Sequence, residues 1–443
     1  IINSIIKTAV VPPVLLAVAA VLCYLFIVRG MYALEDLPVK KIPRWSKICI
    51  EVVMVVFFLH TVQVQGTEIG MWDYIQSVRE SSDFYEKEYV NPAKVKMTFP
   101  KEKKNLIYIF MESMESSYAD KEDGGTMDDN YIPNLTKLAR ENVQFTDKKD
   151  GKVGGPVCLE ATAYTAGGLV AQTSAINLKV MNSGAVSDSF LPNLTALGDI
   201  LNKQGYNQMF LCGSDGDFAG RDAYFKTHKD YQIEDYKAAI KEGDIPKDYK
   251  VYWGHEDKVL YERAKKNLKK LSKEGKPFNL TMLTVDTHFP NGYICDLCEN
   301  KYDTTYGNAV ACADRQVYDF VQWIKKQDFY EDTTIIIAGD HTSMVDTGSK
   351  FWKSLSNDYQ RTVYNAIINP QCAYKKKVTT KRKFSTMDMF PTTLAALGVE
   401  IDGNKLGLGT NLFSGEETLR EELGANYINK ELKRNYKMYT QLY

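Results

Sequence analysis

Four apolar runs in this sequence end in residues able to hold a cation or handle a phosphate. Asn105–Met111 ends in Glu112, and Thr333–Ala338 in Gly339-Asp340-His341. Leu280–Val285 ends in Asp286-Thr287-His288, and Asn207–Leu211 runs into Gly213-Ser214-Asp215. Glu112, Asp340 and His341 offer two oxygens and one nitrogen, a donor set suited to Mn²⁺ or Zn²⁺ that leaves a position open for a reacting group. An acidic residue after a strand is also an ordinary turn or helix cap, so each cluster alone says little. In an open parallel sheet, however, the carboxyl ends of the strands share one rim where ligands bind. The four clusters therefore read as one shared site.

A fifth element belongs with them. A glycine-bordered loop runs from Gly154-Gly155-Pro156 to Gly167-Gly168, contains Thr162 and Thr165, and leads into an apolar helix from about Ala166. A hydroxyl at that helix start faces free backbone N–H groups, a ready place for a phosphate. The same spacing suits Thr165 as a plain N-cap, and both readings stand on sequence. Ligation to a metal would lower the hydroxyl's pKa and make it a nucleophile.

The elements that must position these residues follow from periodicity. From Lys101 onward short apolar runs alternate with longer amphipathic ones, the pattern of a βα-wound sheet flanked by helices. Expected strands are the four runs above and Val363–Ile368. Expected helices are Ile132–Glu141, Leu191–Gln204, Lys258–Ser272, Ala309–Lys325 and Phe390–Leu397. The segments IPNLTKLA and LPNLTALG read as two helix starts with proline near the first position.

The chain has 443 residues, room for about three domains or one large α/β domain. It is 44% hydrophobic and 25% charged, which excludes disorder and a small disulfide scaffold. Its net charge of -1 gives no global field for nucleic acid. A mean hydropathy of -0.32 hides an apolar beginning. Ala9–Val28 is uncharged over a length that at 1.5 Å per residue crosses a ~30 Å hydrocarbon core. A second run, roughly Ile48–Val64, is interrupted by Glu51, His60, Thr61 and Gln63.

Between these runs lie Arg29, Lys40, Lys41, Arg44 and Lys47, so the positive-inside rule puts that loop in the cytoplasm and everything after about residue 66 outside. The expected organisation is a membrane anchor over 1–66 with two transmembrane helices of a truncated set. A juxtamembrane helix and linker follow over 67–100, with Met71, Trp72, Ile75 and Val78 at helical spacing. An extracytoplasmic catalytic domain would occupy 101–443.

Six of the eight cysteines fall outside the two apolar runs, an even number that fits an oxidising compartment. Cys295-x-x-Cys298 with Cys312 lacks the second CxxC or paired His that would complete a zinc site, so a disulfide within 295–312 is expected. The basic run Lys375–Lys377 with Lys381–Lys383 reads as a solvated loop, with anionic lipid head groups as the alternative contact.

Five ordered motifs carry a resemblance: NLIYIFMESMESSYAD at 105–120, TAYTAGGLVAQTSAINL at 162–178, GSDGDFAGRDAYFKTH at 213–228, LTVDTHFPNGY at 283–293 and AGDHTSM at 338–344. In this order they resemble the membrane phosphoglycerol transferases, which include the glucan phosphoglycerol transferase and lipoteichoic acid synthase, in the sulfatase branch of the alkaline phosphatase superfamily. FSTMDMFPTTLAALG at 384–398 resembles the helix that closes that fold.

The resemblance implies an α/β, alkaline-phosphatase-like catalytic domain preceded by transmembrane helices. It implies Glu112, Thr165, Asp340 and His341 as ligands of one divalent ion, Mn²⁺ first and Zn²⁺ or Mg²⁺ after it, with Thr165 as nucleophile. Arg221 and His288 match the family's phosphate and glycerol contacts; His288 doubles as proton donor, and Ser214 joins them at the substrate. The implied reaction takes sn-glycerol-1-phosphate from phosphatidylglycerol onto Thr165, releases diacylglycerol, and passes the group to a glycan, glycolipid or polyglycerolphosphate acceptor of a bacterial envelope. Cys212 and Ala219 stand where lipoteichoic acid synthases carry histidine and tryptophan, which leaves the acceptor open. The sulfatase nucleophile pattern Cys/Ser-x-Pro-x-Arg is absent around Thr165, against sulfate ester hydrolysis. Two rivals remain: phosphoethanolamine transfer on the same fold, and a membrane-tethered binding protein without turnover.

Overall fold

The computed structural model describes residues 44–68, 80–149, 151–179 and 189–442. The chain divides into two units, Ile1–Ser81 and Ser82–Tyr443. In the first, α1 (Arg44–Glu68) carries exposed Val52, Val53, Val55, Val56, Phe57, Phe58 and Leu59. Among the described residues no helix is long and apolar enough to cross a membrane. The expected second span is thus a helix, but its apolar stretch is broken by Glu51, His60 and Gln63. Ala9–Val28 and the juxtamembrane segment around Met71–Val78 lie outside the described residues.

The second unit is built on one six-stranded sheet. Its strands in chain order are β1 (Asn105–Met111), β2 (Asn207–Cys212), β3 (Gln232–Glu234), β4 (Phe278–Leu283), β5 (Thr333–Gly339) and β6 (Asn365–Ile368). Across the sheet the order is β3-β2-β4-β1-β5-β6. All neighbours are parallel except β6, which runs antiparallel to β5, so the sheet is mixed where the sequence suggested a parallel one.

The helices that matter for the site are α2 (Pro133–Glu141), α3 (Thr165–Ser174), α4 (Leu197–Lys203), α5 (Arg221–Thr227), α6 (Asp257–Leu271), α7 (Thr305–Ile324) and α8 (Met389–Ala396). Most expected helices appear within a few residues. The expected Leu191–Gln204 helix does not begin at Pro192. Leu191 has φ 52°, and the helix starts only at Leu197, where Asp199 Oδ2 accepts the Ala196 amide at 2.8 Å. Sequence likeness to IPNLTKLA, whose Pro133 does open α2, is overridden by this local cap.

β1 explains why the sheet is central. It is an uninterrupted apolar run because it is buried on both faces. Leu106, Tyr108 and Phe110 join a core with Leu169, Leu197 and Phe390 of α3, α4 and α8. Ile107, Ile109 and Met111 join the opposite core with Leu135, Leu268 and Phe320 of α2, α6 and α7. Each fully buried side chain of this kind contributes roughly 1.5–3 kcal/mol, so the strands with the deepest burial are also the most rigid supports for whatever follows them.

Two smaller expectations resolve here. The disulfide within 295–312 joins Cys298 to Cys312 and leaves Cys295 free. In the basic run Lys375–Lys377 is solvated, whereas Arg382 is buried and bonds both Glu421 oxygens at 2.8 and 2.9 Å. A cavity of about 730 Å³ opens beside that run, between Arg140, Asn142, Lys376 and Thr379, and shares no residue with the strand rim.

Candidate active site and metal centre

The strand register levels the carboxyl ends. Cys212 pairs with Leu283, Leu283 with Phe110, and Met111 with Gly339. The clusters after β2, β4, β1 and β5 therefore line up along one edge in that order, Ser214, His288, Glu112, then Asp340-His341.

α3 is brought to this edge by its glycine pair. A Cβ on Gly168 would sit 2.2 Å from the Asp340 carbonyl oxygen, and one on Gly167 would sit 2.8 Å from that of Ala161. Only glycine permits so close an approach of helix to strand end. Gln172 locks the contact: its amide donates to Gly339 O at 2.9 Å while Tyr108 Oη donates to its Oε1 at 3.0 Å. The result removes one of the two readings of Thr165 left open above. Tyr164 is the residue before the helix and Thr165 is its first residue, so the threonine is not an N-cap. Its Oγ1 donates instead to Glu112 Oε2 at 3.2 Å and lies 3.3 Å from His341 Nε2.

Glu112, Asp340 and His341 are all buried and place their ligating atoms within 4.8 Å of one another. His341 Nε2 is 3.3 Å from Glu112 Oε1 and 3.5 Å from Asp340 Oδ2. His341 Nδ1 donates to Thr342 O at 2.8 Å, which turns Nε2 toward the carboxylates, where a metal would take the place of its proton. Asp340 Oδ1 accepts the Ser113 and His341 amides at 2.8 and 2.7 Å, while its Oδ2 is buried without a hydrogen-bond partner.

The electrostatics describe a site short of positive charge. Burial, then the Glu112 charge, push the Asp340 carboxyl up to about 8. Burial would lower His341, but Asp340 and Glu112 overcome it and raise the imidazole to about 10. Burial would also raise Glu112, yet the His341 charge and hydrogen bond hold it down at about 2. The cluster thus gathers protons to offset two buried carboxylates, and a divalent cation would meet the same demand. An orphaned carboxylate oxygen, an aligned imidazole lone pair, a second carboxylate and a hydroxyl fit such an ion.

Arg221 and Ser214 form a separate pair. Arg221 is buried; its Nη2 donates to Ser214 Oγ at 3.0 Å and to Asp215 O at 2.7 Å, and its Nε donates to Phe218 O at 3.0 Å. Among the described residues no carboxylate is one of its hydrogen-bonding partners. Two strand spacings, roughly 10 Å, separate β2 from β1. His288 follows the strand between them, half-buried, with its ring 4.9 Å from Trp253 and its charge felt by Glu112.

Several supporting residues were not anticipated from sequence. Thr284 Oγ1 accepts the Glu112 amide at 2.9 Å, and Thr287 Oγ1 donates to the Glu112 carbonyl at 2.5 Å. Glu115 is wholly buried, paired with Arg361, and accepts the Ser343 amide at 2.8 Å, which pins the loop after His341. The one signal was the density of polar residues in MESMESS directly after an apolar strand. Tyr252 and Trp253 reach the rim from a loop with no motif at all.

Comparison with known proteins agrees with this geometry. Two curated relatives called phosphoglycerol transferase I, from Salmonella choleraesuis and Shigella flexneri, are each 33% identical over 340 residues, covering 74% of this chain and 41% of theirs. The chain thus spans about two fifths of the length of the curated relatives it matches. Among solved structures, a lipoteichoic acid synthase from Listeria monocytogenes aligns at TM-score 0.57 and 19% identity over 72% of this chain and 79% of that one. A protein in the alkaline phosphatase superfamily from Vibrio parahaemolyticus aligns at TM-score 0.52 and 21% identity over 77% and 78%. These structures share the fold, an α/β architecture with a central mixed sheet flanked by helices. The Sulfatase family model matches residues 104–399, a stretch that holds every residue of the rim just described, and the chain belongs to the sulfatase family.

Proposed function

We propose that this rim transfers a phosphoglycerol group from phosphatidylglycerol through a glycerophospho-threonine on Thr165. The observation that carries the reading is the Thr165 hydroxyl, at the start of α3 and in hydrogen-bond contact with Glu112 and His341. In this reading Glu112, Thr165, Asp340 and His341 hold one divalent ion, with Mn²⁺ preferred over Zn²⁺ and Mg²⁺. When bound it supplies Lewis-acid stabilisation of negative oxygen.

The chain's own groups do the rest. Thr165 Oγ1 passes its proton toward Glu112 Oε2 and attacks phosphorus, and diacylglycerol leaves. The free amides at the α3 N-terminus face the anionic phosphoryl group. Arg221, its plane fixed by Ser214, Asp215 and Phe218, binds the head group. His288 donates through Nδ1 to Phe289 O at 2.8 Å, so its Nε2 is free to exchange a proton with the leaving or attacking oxygen. An acceptor hydroxyl on an envelope glycan, glycolipid or polyglycerolphosphate then displaces the threonine. Residues 1–66 would anchor the enzyme in a bacterial cell membrane with the catalytic unit outside.

The test is to present the metal-loaded protein with vesicles of head-group-labelled phosphatidylglycerol or phosphatidylethanolamine and to map the label by mass spectrometry. Label from phosphatidylglycerol on the Thr165 peptide, absent in Thr165→Ala, is the expected result. Label from phosphatidylethanolamine instead would reassign the donor. Vesicle binding with no label from either lipid would mark a binding protein and end the proposal.

A further inference from the structure

Three cysteines with no part in the rim chemistry lie together beside the loop that carries His288. Cys298 and Cys312 are joined as a disulfide with Cα atoms 5.0 Å apart. Cys295 remains a thiol, is buried, and holds its Sγ 3.6 Å from Cys298 Sγ. The backbone enforces this proximity, because the Cys298 amide donates to Cys295 O at 3.1 Å and closes a turn over the CxxC segment. A thiol in contact with one sulfur of a disulfide is the arrangement from which exchange proceeds.

We propose that Cys295, Cys298 and Cys312 form a thiol-exchange site at which one disulfide moves between Cys298–Cys312 and Cys295–Cys298. Deprotonated Cys295 attacks Cys298 Sγ, the Cys295–Cys298 bond forms as the Cys298–Cys312 bond breaks, and Cys312 leaves as a thiolate that takes up the proton Cys295 gave. The step is a rearrangement without net oxidation, so no external oxidant or reductant enters. Burial raises the Cys295 thiol above its ordinary value. Exchange therefore speeds up as pH rises, on the minutes-to-hours scale of uncatalysed disulfide rearrangement.

The two states tie the chain differently. The Cys298–Cys312 bond staples the segment after His288 to α7; the Cys295–Cys298 bond closes a local ring and releases that staple. α7 touches both halves of the rim. Gly292 packs so closely on it that a Cβ there would meet Ala309 Cβ at 2.6 Å, and Tyr306 Oη lies 2.8 Å from Ser343 Oγ, two residues past His341. In the released state only noncovalent ties hold the cysteine segment, chiefly Lys258 with Asp296 and Arg315 with Glu299. The exchange site thus sets how firmly the segment after His288 is held against α7.

The experiment holds the whole unreduced chain folded at pH 7, or for hours at pH 8.5, then unfolds it rapidly in guanidinium with excess iodoacetamide to trap the free thiols among Cys295, Cys298 and Cys312, followed by peptide mapping. The expected result is label on Cys295 at first and a growing share on Cys312 after the alkaline incubation. Cys312→Ser should yield a Cys295–Cys298 disulfide and no free thiol among the remaining pair, while Cys295→Ser should keep Cys298–Cys312 at both pH values. Label confined to Cys295 at both pH values, together with two free thiols in Cys312→Ser, overturns the proposal. So does a tightly held Zn²⁺ with all three thiols reduced, detected by native mass spectrometry. Neither readout depends on catalytic activity.

Discussion

Two buried clusters in this protein use the same residue types to opposite ends. At the sheet edge Arg263 is 2% exposed and pairs with Glu234 Oε2 at 2.6 Å and Asp244 Oδ2 at 2.9 Å, with Lys266 bracing Asp244 at 2.8 Å. At the centre, Glu112 and Asp340 are buried just as deeply, yet among the described residues no Lys or Arg pairs with either, and Asp340 Oδ2 has no hydrogen-bond partner. The first cluster contains its own cation and is closed. The second carries two carboxylates against one imidazole. An uncompensated buried carboxylate costs several kcal/mol, and a fold tolerates it where something else completes it. The contrast distinguishes a structural network from a site built to receive a ligand.

The comparison can be broken at the Thr165 hydroxyl first. Thr165→Ala should lower phosphoglycerol transfer by at least about 10⁴-fold in a labelled-lipid assay, with folding intact by circular dichroism. Comparable transfer in that variant would remove the threonine from the chemistry.

Next come the charges themselves. Arg263→Met strands Glu234 in the interior and should cost about 3–5 kcal/mol in urea denaturation. Asp340→Asn in metal-free protein replaces a carboxyl that burial and Glu112 hold up at about 8 with a neutral amide and should leave stability unchanged or raised. Equal losses in the two variants would erase the distinction drawn between the clusters.

An acid titration sharpens the closed side. Burial first, and Arg263 further, hold His255 at about 4, below its ordinary value, with Glu256 and Asp244 opposing. A folded histidine of depressed pKa favours the neutral form, whereas the unfolded chain binds the proton near 6.5. Stability from this group is therefore complete above about 6.5 and lost as pH falls toward 4, by about 3 kcal/mol at roughly 1.4 kcal/mol per unit. His255→Gln should flatten that part of the stability profile measured by thermal melts between pH 7 and 4.

The smallest effect expected is that of metal removal. A divalent ion at a hundred times its Kd adds about 2.7 kcal/mol to the native state. Chelation should lower the melting temperature of the native protein and do nothing to Asp340→Asn. An identical drop in both would place the ion elsewhere.

Much of the central site is legible along the chain because β1 and β5 are buried on both faces. Such strands read as unbroken apolar runs, and the first polar residue after each, Glu112 or Gly339-Asp340-His341, marks where the run emerges. Thr165 was legible as a hydroxyl at a helix start and as a candidate nucleophile, but whether it caps the helix or begins it was not, since an N-cap and a first helical residue occupy neighbouring positions. Burial of Arg221 against Ser214 was equally hidden, because an exposed arginine and a buried one have the same letter. Strand direction failed for β6, which carries the same β propensity as the parallel strands and differs only in how its connection returns. Pairings such as Glu115 with Arg361, 246 residues apart, leave no local trace.

By itself the order of residues determined which side chains are available and where strands and helices must exchange. Hydrophobic periodicity is a local property, and so are the motifs written at its ends. Only the folded chain decided which ends meet. Register levelled four strand termini, Gly168 let α3 press against Asp340, and burial shifted the Asp340 carboxyl far from its ordinary value. Those outcomes depend on distances and dielectric surroundings that exist only once segments far apart in sequence have packed together.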